Sequence, residues 1–137
     1  MPPGWLWHAA VPPANLGRYL REFETLMDSY DVTGIPYGHF GDGCIHIRID
    51  FPLGNTGQQR PGQQHSGHRD PSEMFREFMV DAAHLVVKHG GSCSGEHGDG
   101  RARSELLPIM YSAAAMELFG GVKALFDPAN LLNPGVV

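Results

Sequence analysis

Apolar residues recur at intervals of three and four along two stretches of the chain, which is the spacing of one helical face. The first stripe, with charged residues between its members, consists of Leu16, Leu20, Phe23, Met27 and Tyr30. Residues 14–30 are therefore predicted to form an amphipathic helix. The preceding Pro12–Pro13 pair suits its start, because proline is tolerated in a first helical turn.

The second stripe lies between a helix-start signal and a helix-stop signal. Its members are Phe75, Phe78, Met79, Ala82, Leu85 and Val86. Asp70 can accept the first free amide hydrogens, Pro71 suits the first helical position, and Glu73 completes a pattern like a capping box. This helix is predicted to run to His89, where Gly90–Gly91 end it.

Alternation of apolar and polar residues predicts strands elsewhere. Residues 5–11 form a short strand, and residues 35–40 and 44–51 form a hairpin around the Gly41-Asp42-Gly43 turn. In the last strand one face carries Ile45, Ile47, Ile49 and Phe51, and the other carries His46, Arg48 and Asp50. We expect the first face to join the core and the second to meet solvent or a functional site.

The order of these elements, strand, helix, hairpin and helix, predicts an α+β fold. We expect an antiparallel sheet with helices on one face, equivalent to half of a ferredoxin-like fold, in a single domain spanning residues 1–137. A short-helical C-terminal segment follows, with helices at residues 103–110, 112–119 and 121–126. Residues 54–69 are predicted to form a flexible insertion, because they have too little apolar surface to offset the entropy of ordering.

Composition and charge narrow the class of protein. The chain has 137 residues, a hydrophobic content of 42% and a formal net charge of -5. The lack of a basic field argues against nucleic acid as a partner, and no apolar run approaches the roughly 20 residues of a membrane span. We expect a cytoplasmic protein, peripheral to the membrane in a longer polypeptide. Cys44 and Cys93 lack CxxC spacing, so both are expected to be reduced.

Two histidines flank the predicted turn. A two-residue turn at Asp42-Gly43 would place His39 opposite His46, and Phe40 opposite Ile45 in the core. Directly opposed side chains have Cβ atoms about 4.5–5.5 Å apart, a separation from which two imidazoles can bind one cation. The alternative is that both histidines are merely exposed side chains of a solvent-facing strand.

A glycine-rich segment at residues 91–100 offers the best third ligand. Glu96 and His97 lie at its centre, and the flanking glycines let the backbone approach a bound group closely. Three protein ligands would leave a coordination position open, as in catalytic zinc sites that polarise a bound oxygen. The alternatives are a flexible connector and a phosphate cradle, although the spacing matches neither GxGxxG nor GxxxxGK[ST].

The same residues resemble motifs of the FAD-linked oxidase C-terminal domain family. Residues 38–46 are similar to GHxGDGNxH, residues 91–100 to GGxxSGEHGxG, and the tail segments 126–128 and 132–135 to FDPxxxLNPG. The three motifs occur in family order over nearly the whole chain. This family includes D-lactate dehydrogenases, glycolate oxidase subunits and 2-hydroxyglutarate dehydrogenases.

The resemblance implies a catalytic metal centre. The motif residues His39, His46 and Glu96 would bind a divalent metal, usually zinc, and His97 would be the base that takes the substrate hydroxyl proton. The implied activity is oxidation of a small D-2-hydroxy acid, of lactate or glycolate type, by metal-assisted proton abstraction and hydride transfer to FAD. A zinc-dependent hydrolase and a non-catalytic metal-binding module are the alternatives.

Further residues are assigned around this centre. Arg48 and Arg101, with Arg103 as another candidate, would pair with the substrate carboxylate through bidentate geometry, although ordinary surface charge also accounts for Arg101 and Arg103. The resemblance places Asn133 near the flavin. The other histidines are expected to be structural or solvated, namely His8, His65, His68, His84 and His89.

The resemblance also has departures and a missing part. Where family members usually have asparagine, a hydrophobic residue and lysine, this chain has Cys44, Asp99 and Val136, which leaves the substrate open. Nothing in the chain is suited to hold FAD alone. The FAD-binding domain, together with an iron–sulfur domain of the same polypeptide, is therefore expected outside these residues, and the chain by itself is expected to be inactive.

Overall fold

The computed structural model describes residues 5–51 and 70–135. Its three strands form one antiparallel sheet in the order β1-β3-β2. The strands are β1 (Trp5–Ala10), β2 (Gly34–His39) and β3 (Cys44–Ile49), and the two long N-terminal helices are α1 (Pro13–Ser29) and α2 (Pro71–Lys88). The predicted α+β class is confirmed, and the strand order is that of half a ferredoxin-like fold. The flexible insertion predicted for residues 54–69 lies outside the described residues.

The core lies between one face of the sheet and helices α1 and α2. The isoleucines of β3 predicted to face inward are all buried, and the apolar stripes of the two helices cover them. Trp7 Nε1 donates a hydrogen bond of 2.9 Å to the hydroxyl of Tyr19, so these two buried aromatic residues satisfy each other's polar groups. The side of the sheet that carries His46 faces away from these helices.

The signals that predicted the ends of α2 are confirmed. Asp70 is the N-cap, and its carboxylate accepts a 3.0 Å hydrogen bond from the amide of Ser72. The helix begins at Pro71 and stops before Gly90, whose φ of 73° is the left-handed conformation that glycine adopts without a Cβ penalty.

The C-terminal segment differs from the prediction. In place of one helix at residues 103–110 there are α3 (Gly100–Arg103), a 3-10 turn and α4 (Leu107–Met110). The predicted helices at 112–119 and 121–126 form a single helix, α5 (Ala113–Phe126), which runs through both internal glycines. An interior glycine weakens a helix by only about 1 kcal/mol relative to alanine, which does not have to end it.

The predicted hairpin register is wrong. The loop contains the four residues from Phe40 to Gly43, so His39 pairs with Cys44, and His46 pairs with Tyr37. Phe40, expected in the core, is exposed. The physical reason is a 3-10 turn over Phe40–Asp42 that Gly43 closes by donating its amide hydrogen to the Phe40 carbonyl at 3.1 Å.

Candidate functional site

The candidate site starts from a histidine pair on the outer face of the sheet. β1 and β3 pair so that His8 lies directly opposite His46. The two Nδ1 atoms are 2.6 Å apart, and both residues are buried, with 5% and 8% of their surface exposed. On its other side His46 is flanked by Tyr37 of β2, whose ring centroid is 5.2 Å from the imidazole.

The glycine-rich segment covers this pair. It begins beside β1, where Ser92 and Ala10 exchange two backbone hydrogen bonds of 2.8 and 2.9 Å. Ser92 therefore stands where the fourth strand of a complete ferredoxin-like sheet would start. Beyond it, Gly95 and Gly98 have φ values of 52° and 72°, which turn the chain back across the sheet in conformations that residues with a Cβ rarely adopt.

Glu96 and His97 reach the histidine pair from this segment. Glu96 Oε1 is 2.9 Å from His46 Nε2 and 3.6 Å from His97 Nε2. The His97 ring lies 4.2 Å from that of His8 and 5.2 Å from that of His46, measured between centroids. Three imidazoles and one carboxylate, drawn from three separate stretches of the chain, thus meet at one place.

The structure brings together some of the predicted ligands and adds one residue. His46, Glu96 and His97 meet as expected, whereas His39 lies on the exposed hairpin end opposite Cys44. The histidine beside His46 is His8, which sequence reasoning had left outside the site. A usable signal was present, because Trp7, Ala9 and Val11 alternate inward and leave His8 on the outer face.

The donor set fits a divalent cation. His8, His46 and His97 each offer one ring nitrogen, and these atoms all lie within 4.8 Å of one another. Imidazole nitrogens with an adjacent carboxylate are the ligands that zinc and similar cations bind in proteins. The three imidazoles are therefore candidate ligands of one cation.

A buried arginine contacts the glycine-rich segment. Arg103 Nη1 donates a 2.8 Å hydrogen bond to the carbonyl of Cys93 and so anchors the glycine-rich segment. Within the described residues, Arg103 Nε and Asp99 Oδ1 are buried without a hydrogen-bond partner. Burial raises the pKa of Asp99, and the charge of Arg103 opposes that rise. Arg103 therefore fixes the buried side of the glycine-rich segment.

Burial and like charge keep His8 neutral. Burial and, after it, the charges of Arg103, His97 and His46 together lower the pKa of His8 to about 4, against the opposing charge of Glu96. A neutral imidazole offers a lone pair to a proton or a cation, which a protonated ring does not. His8 is thus an acceptor over the whole neutral pH range.

This pKa makes the metal-free chain sensitive to acid. The unfolded chain, in which histidine has its ordinary pKa near 6.5, binds more protons than the folded chain between pH 6.5 and 4. Stability from neutral His8 is therefore complete above pH 6.5 and is lost as the pH falls towards 4. Between pH 7 and 4.5 we expect wild type to lose on the order of 2 kcal/mol more unfolding free energy than His8→Asn, measured by urea titration with a chelator present. Parallel losses in both proteins would contradict this assignment.

The remaining predicted site residues lie around the cluster or in the tail. Arg48 is exposed on the same face of β3 as His46, two residues further on, and Arg101 is exposed in α3. Asn133 is exposed in the tail with a φ of 49°. Their assigned contacts with substrate and flavin stay predictions.

The tail motif has a structural role of its own. The carboxylate of Asp127 accepts hydrogen bonds of 2.8 Å from the amides of Leu131 and Leu132, and it pairs with Lys123 of α5. The hydrogen bond from Lys123, followed by those from the backbone, lowers the pKa of Asp127. This carboxylate therefore folds the tail back onto the end of α5.

Comparison with known proteins places the chain in a family. The model of "FAD linked oxidases, C-terminal domain" matches residues 4–137. The chain belongs to this family. The resemblance read from the three motifs is thereby confirmed.

The similar curated proteins are named as oxidoreductases. A D-lactate dehydrogenase of Archaeoglobus fulgidus is 36% identical over 133 residues, which are 94% of this chain and 25% of that protein. A D-2-hydroxyglutarate dehydrogenase of Escherichia coli is 32% identical over 93% of this chain and 11% of its own length. The glycolate oxidase subunit GlcD of Bacillus subtilis is 25% identical over 93% of this chain and 24% of its length. The chain thus spans a quarter or less of these relatives.

Two further observations concern the cysteines and the helices of the described residues. Cys44 and Cys93 are both free thiols, and burial raises the pKa of Cys93 to about 12. No helix in residues 5–51 and 70–135 is long and apolar enough to cross a membrane.

Proposed function

We propose that this chain forms the substrate side of an FAD-dependent dehydrogenase that oxidises a small D-2-hydroxy acid of the lactate or glycolate type. The observation that carries the proposal is the meeting of His46, Glu96 and His97 on one sheet face in a member of the FAD-linked oxidase family. Relatives named for D-lactate, D-2-hydroxyglutarate and glycolate support this class of substrate. The FAD-binding domain, and an iron–sulfur domain, would lie outside these residues.

The cation of the proposed site is divalent, with zinc the first candidate. His46 and Glu96 would hold it, since their nitrogen and oxygen atoms already lie 2.9 Å apart. His39 is the third proposed ligand on the strength of the motif. It shares the sheet face of His46 as a diagonal neighbour, a relation that spans about 7–8 Å, so it would have to reach towards the pair. The chemistry supplied when cation and FAD are bound is polarisation of the α-hydroxyl and acceptance of hydride from the α-carbon.

His97 is the proposed proton acceptor. Its side chain is 51% exposed, so a substrate can approach it, and histidine is the commonest general base in enzymes. The Glu96 carboxylate at 3.6 Å from His97 Nε2 would stabilise the imidazolium that forms when the hydroxyl proton is taken. His97 would thus remove the proton, and Glu96 would stabilise the positive charge that results.

Arginines at the edge of the cluster are proposed to bind the substrate carboxylate. Arg48 leaves the same face of β3 as His46, and Arg101 follows the glycine-rich segment directly. A guanidinium binds a carboxylate through two parallel hydrogen bonds, which fixes its orientation. Such a clamp would direct the hydroxyl of the substrate towards His97.

The test uses the FAD-loaded flavoprotein in which this chain stands beside its FAD-binding domain. We expect anaerobic D-lactate, glycolate or D-2-hydroxyglutarate to bleach the flavin absorbance, with L-lactate and L-2-hydroxyglutarate inactive and chelation slowing the reaction. Glu96→Gln should lower the bound-metal content and the rate together, because it removes a charged ligand. Glu105→Gln is the matched control, since Glu105 instead pairs with Arg76 on α2 at 3.0 Å.

Two results would contradict the proposed function. Failure of every D-2-hydroxy acid to reduce the flavin would exclude the substrate class. Equal metal content in wild type and in the Glu96→Gln protein would exclude Glu96 as a ligand. Hydrolysis catalysed without flavin would favour the zinc-dependent hydrolase in its place.

A further inference from the structure

Both ring nitrogens of His46 have partners, and the two partners differ in kind. Nε2 faces the carboxylate of Glu96 at 2.9 Å, whereas Nδ1 faces Nδ1 of His8 at 2.6 Å. Two neutral imidazole nitrogens at that distance share one proton, so one of them donates and the other accepts. Without a cation, the carboxylate of Glu96 can only accept a hydrogen from Nε2. A cation bound at Nε2 would displace that hydrogen and leave neutral His46 with its one hydrogen on Nδ1, facing His8.

We propose that His8 is a positioning residue that accepts the Nδ1 hydrogen of His46 when Nε2 of His46 binds a cation beside Glu96. This inference rests on the proposed function, in which His46 and Glu96 hold the cation. Metal-binding histidines almost always donate their other ring hydrogen to a fixed acceptor, which sets the tautomer and the ring orientation. His8 would be that acceptor, supplied by a strand outside the three motifs.

The fold holds His8 in place for this role. Its neighbours Trp7 and Ala9 are fully buried on the core face, and the backbone of Ala10 is bonded to Ser92 at the end of β1. The His97 ring lies over His8 at 4.2 Å with an interplanar angle of 32°. With 5% of its surface exposed, His8 has little room to turn towards solvent. A fixed acceptor is thereby built into the sheet itself.

A pair of isosteric substitutions separates this role from simple packing. Asparagine places its Oδ1 at the bond position of His8 Nδ1 and can accept the same hydrogen, whereas leucine places a methyl group there. We expect His8→Leu to weaken zinc binding by about 10- to 100-fold, the usual effect of removing such a partner, and His8→Asn to stay within about threefold of wild type. His84→Leu, on the exposed side of α2, is the control and should match wild type.

The readouts are zinc affinity, by competition with a chromophoric chelator, and the Nδ1 hydrogen of His46, by nitrogen-15 NMR of the zinc-loaded chain. In zinc-loaded wild type and His8→Asn we expect this hydrogen to be bonded to residue 8 and to exchange slowly with water, and in His8→Leu we expect it to exchange too fast to be seen. Circular dichroism checks that each variant is folded. If His8→Leu does not fold, the zinc affinity and the NMR spectrum of His8→Asn still test the role of His8.

The possible results distinguish this inference from the proposed function. A wild-type chain that binds no zinc would overturn both. Zinc bound equally by wild type and by folded His8→Leu would overturn the positioning role alone, as would zinc-loaded wild type in which His46 binds the metal through Nδ1. A loss in His8→Asn as large as that in His46→Ala would also overturn it, because His8 would then be a direct ligand.

Discussion

Replacing His97 with glutamine is expected to slow flavin reduction by a D-2-hydroxy acid by about 10²- to 10⁴-fold, the usual contribution of a general base. Glutamine keeps a polar side chain of similar reach but cannot take up a proton. His97 is half exposed and contacts Glu96 at 3.6 Å, so its removal should leave the fold and the carboxylate in place. The measurement is the single-turnover rate of flavin bleaching in the FAD-loaded protein.

A matched control makes the assignment of the base specific. His84→Gln, which changes an exposed histidine of α2, should keep the wild-type rate. A rate within tenfold of wild type would remove His97 from the mechanism. Loss of bound zinc would instead make it a ligand, as its place among the three clustered imidazoles allows.

Among glycine-to-alanine substitutions in the hairpin, Gly43→Ala should cause the largest loss of stability. Gly43 has a φ of 72°, and a Cβ at this position would overlap the carbonyl of Val11. The left-handed backbone alone costs a residue with a Cβ about 1–2 kcal/mol, and relief of the overlap requires the chain at Val11 to move. We expect a total above about 3 kcal/mol in the free energy of unfolding, measured by urea titration.

Gly41 is the matched control in the same loop. A Cβ built there meets nothing within 4 Å, and its φ is not in the left-handed range. Gly41→Ala should therefore change the unfolding free energy by less than about 0.5 kcal/mol. Equal stabilities of the two alanine variants would show that the turn adopts another conformation in solution.

The helices could be predicted from the sequence because their determinants are local. The stripe of α1 and the Asp70-Pro71 start of α2 each lie within a few turns of the helix that they specify. The register of the hairpin is different. It depends on Gly43 accepting a hydrogen bond from the amide of Val11, about thirty residues earlier in the chain, and a motif around Asp42-Gly43 alone favours the shorter turn.

The same reasoning explains which parts of the site the sequence revealed. His46, Glu96 and His97 belong to glycine-rich motifs and were found from them. His8 has no motif, and its place beside His46 follows only from the pairing of β1 with the central strand. Sequence separation also hid the role of Arg103, because the carbonyl it binds belongs to Cys93 in the segment before α3.

The bridge between Ala10 and Ser92 joins the first strand to the segment that carries Glu96. A cation bound by His46 and Glu96 would therefore link β3 to the glycine-rich segment. These two parts of the chain come into contact only after the sheet has formed. Occupancy and folding would then be coupled, and zinc at a hundred times its dissociation constant would add about 2.7 kcal/mol to the unfolding free energy. The melting temperature of the chain would thus report the occupancy of its cation site without an activity assay.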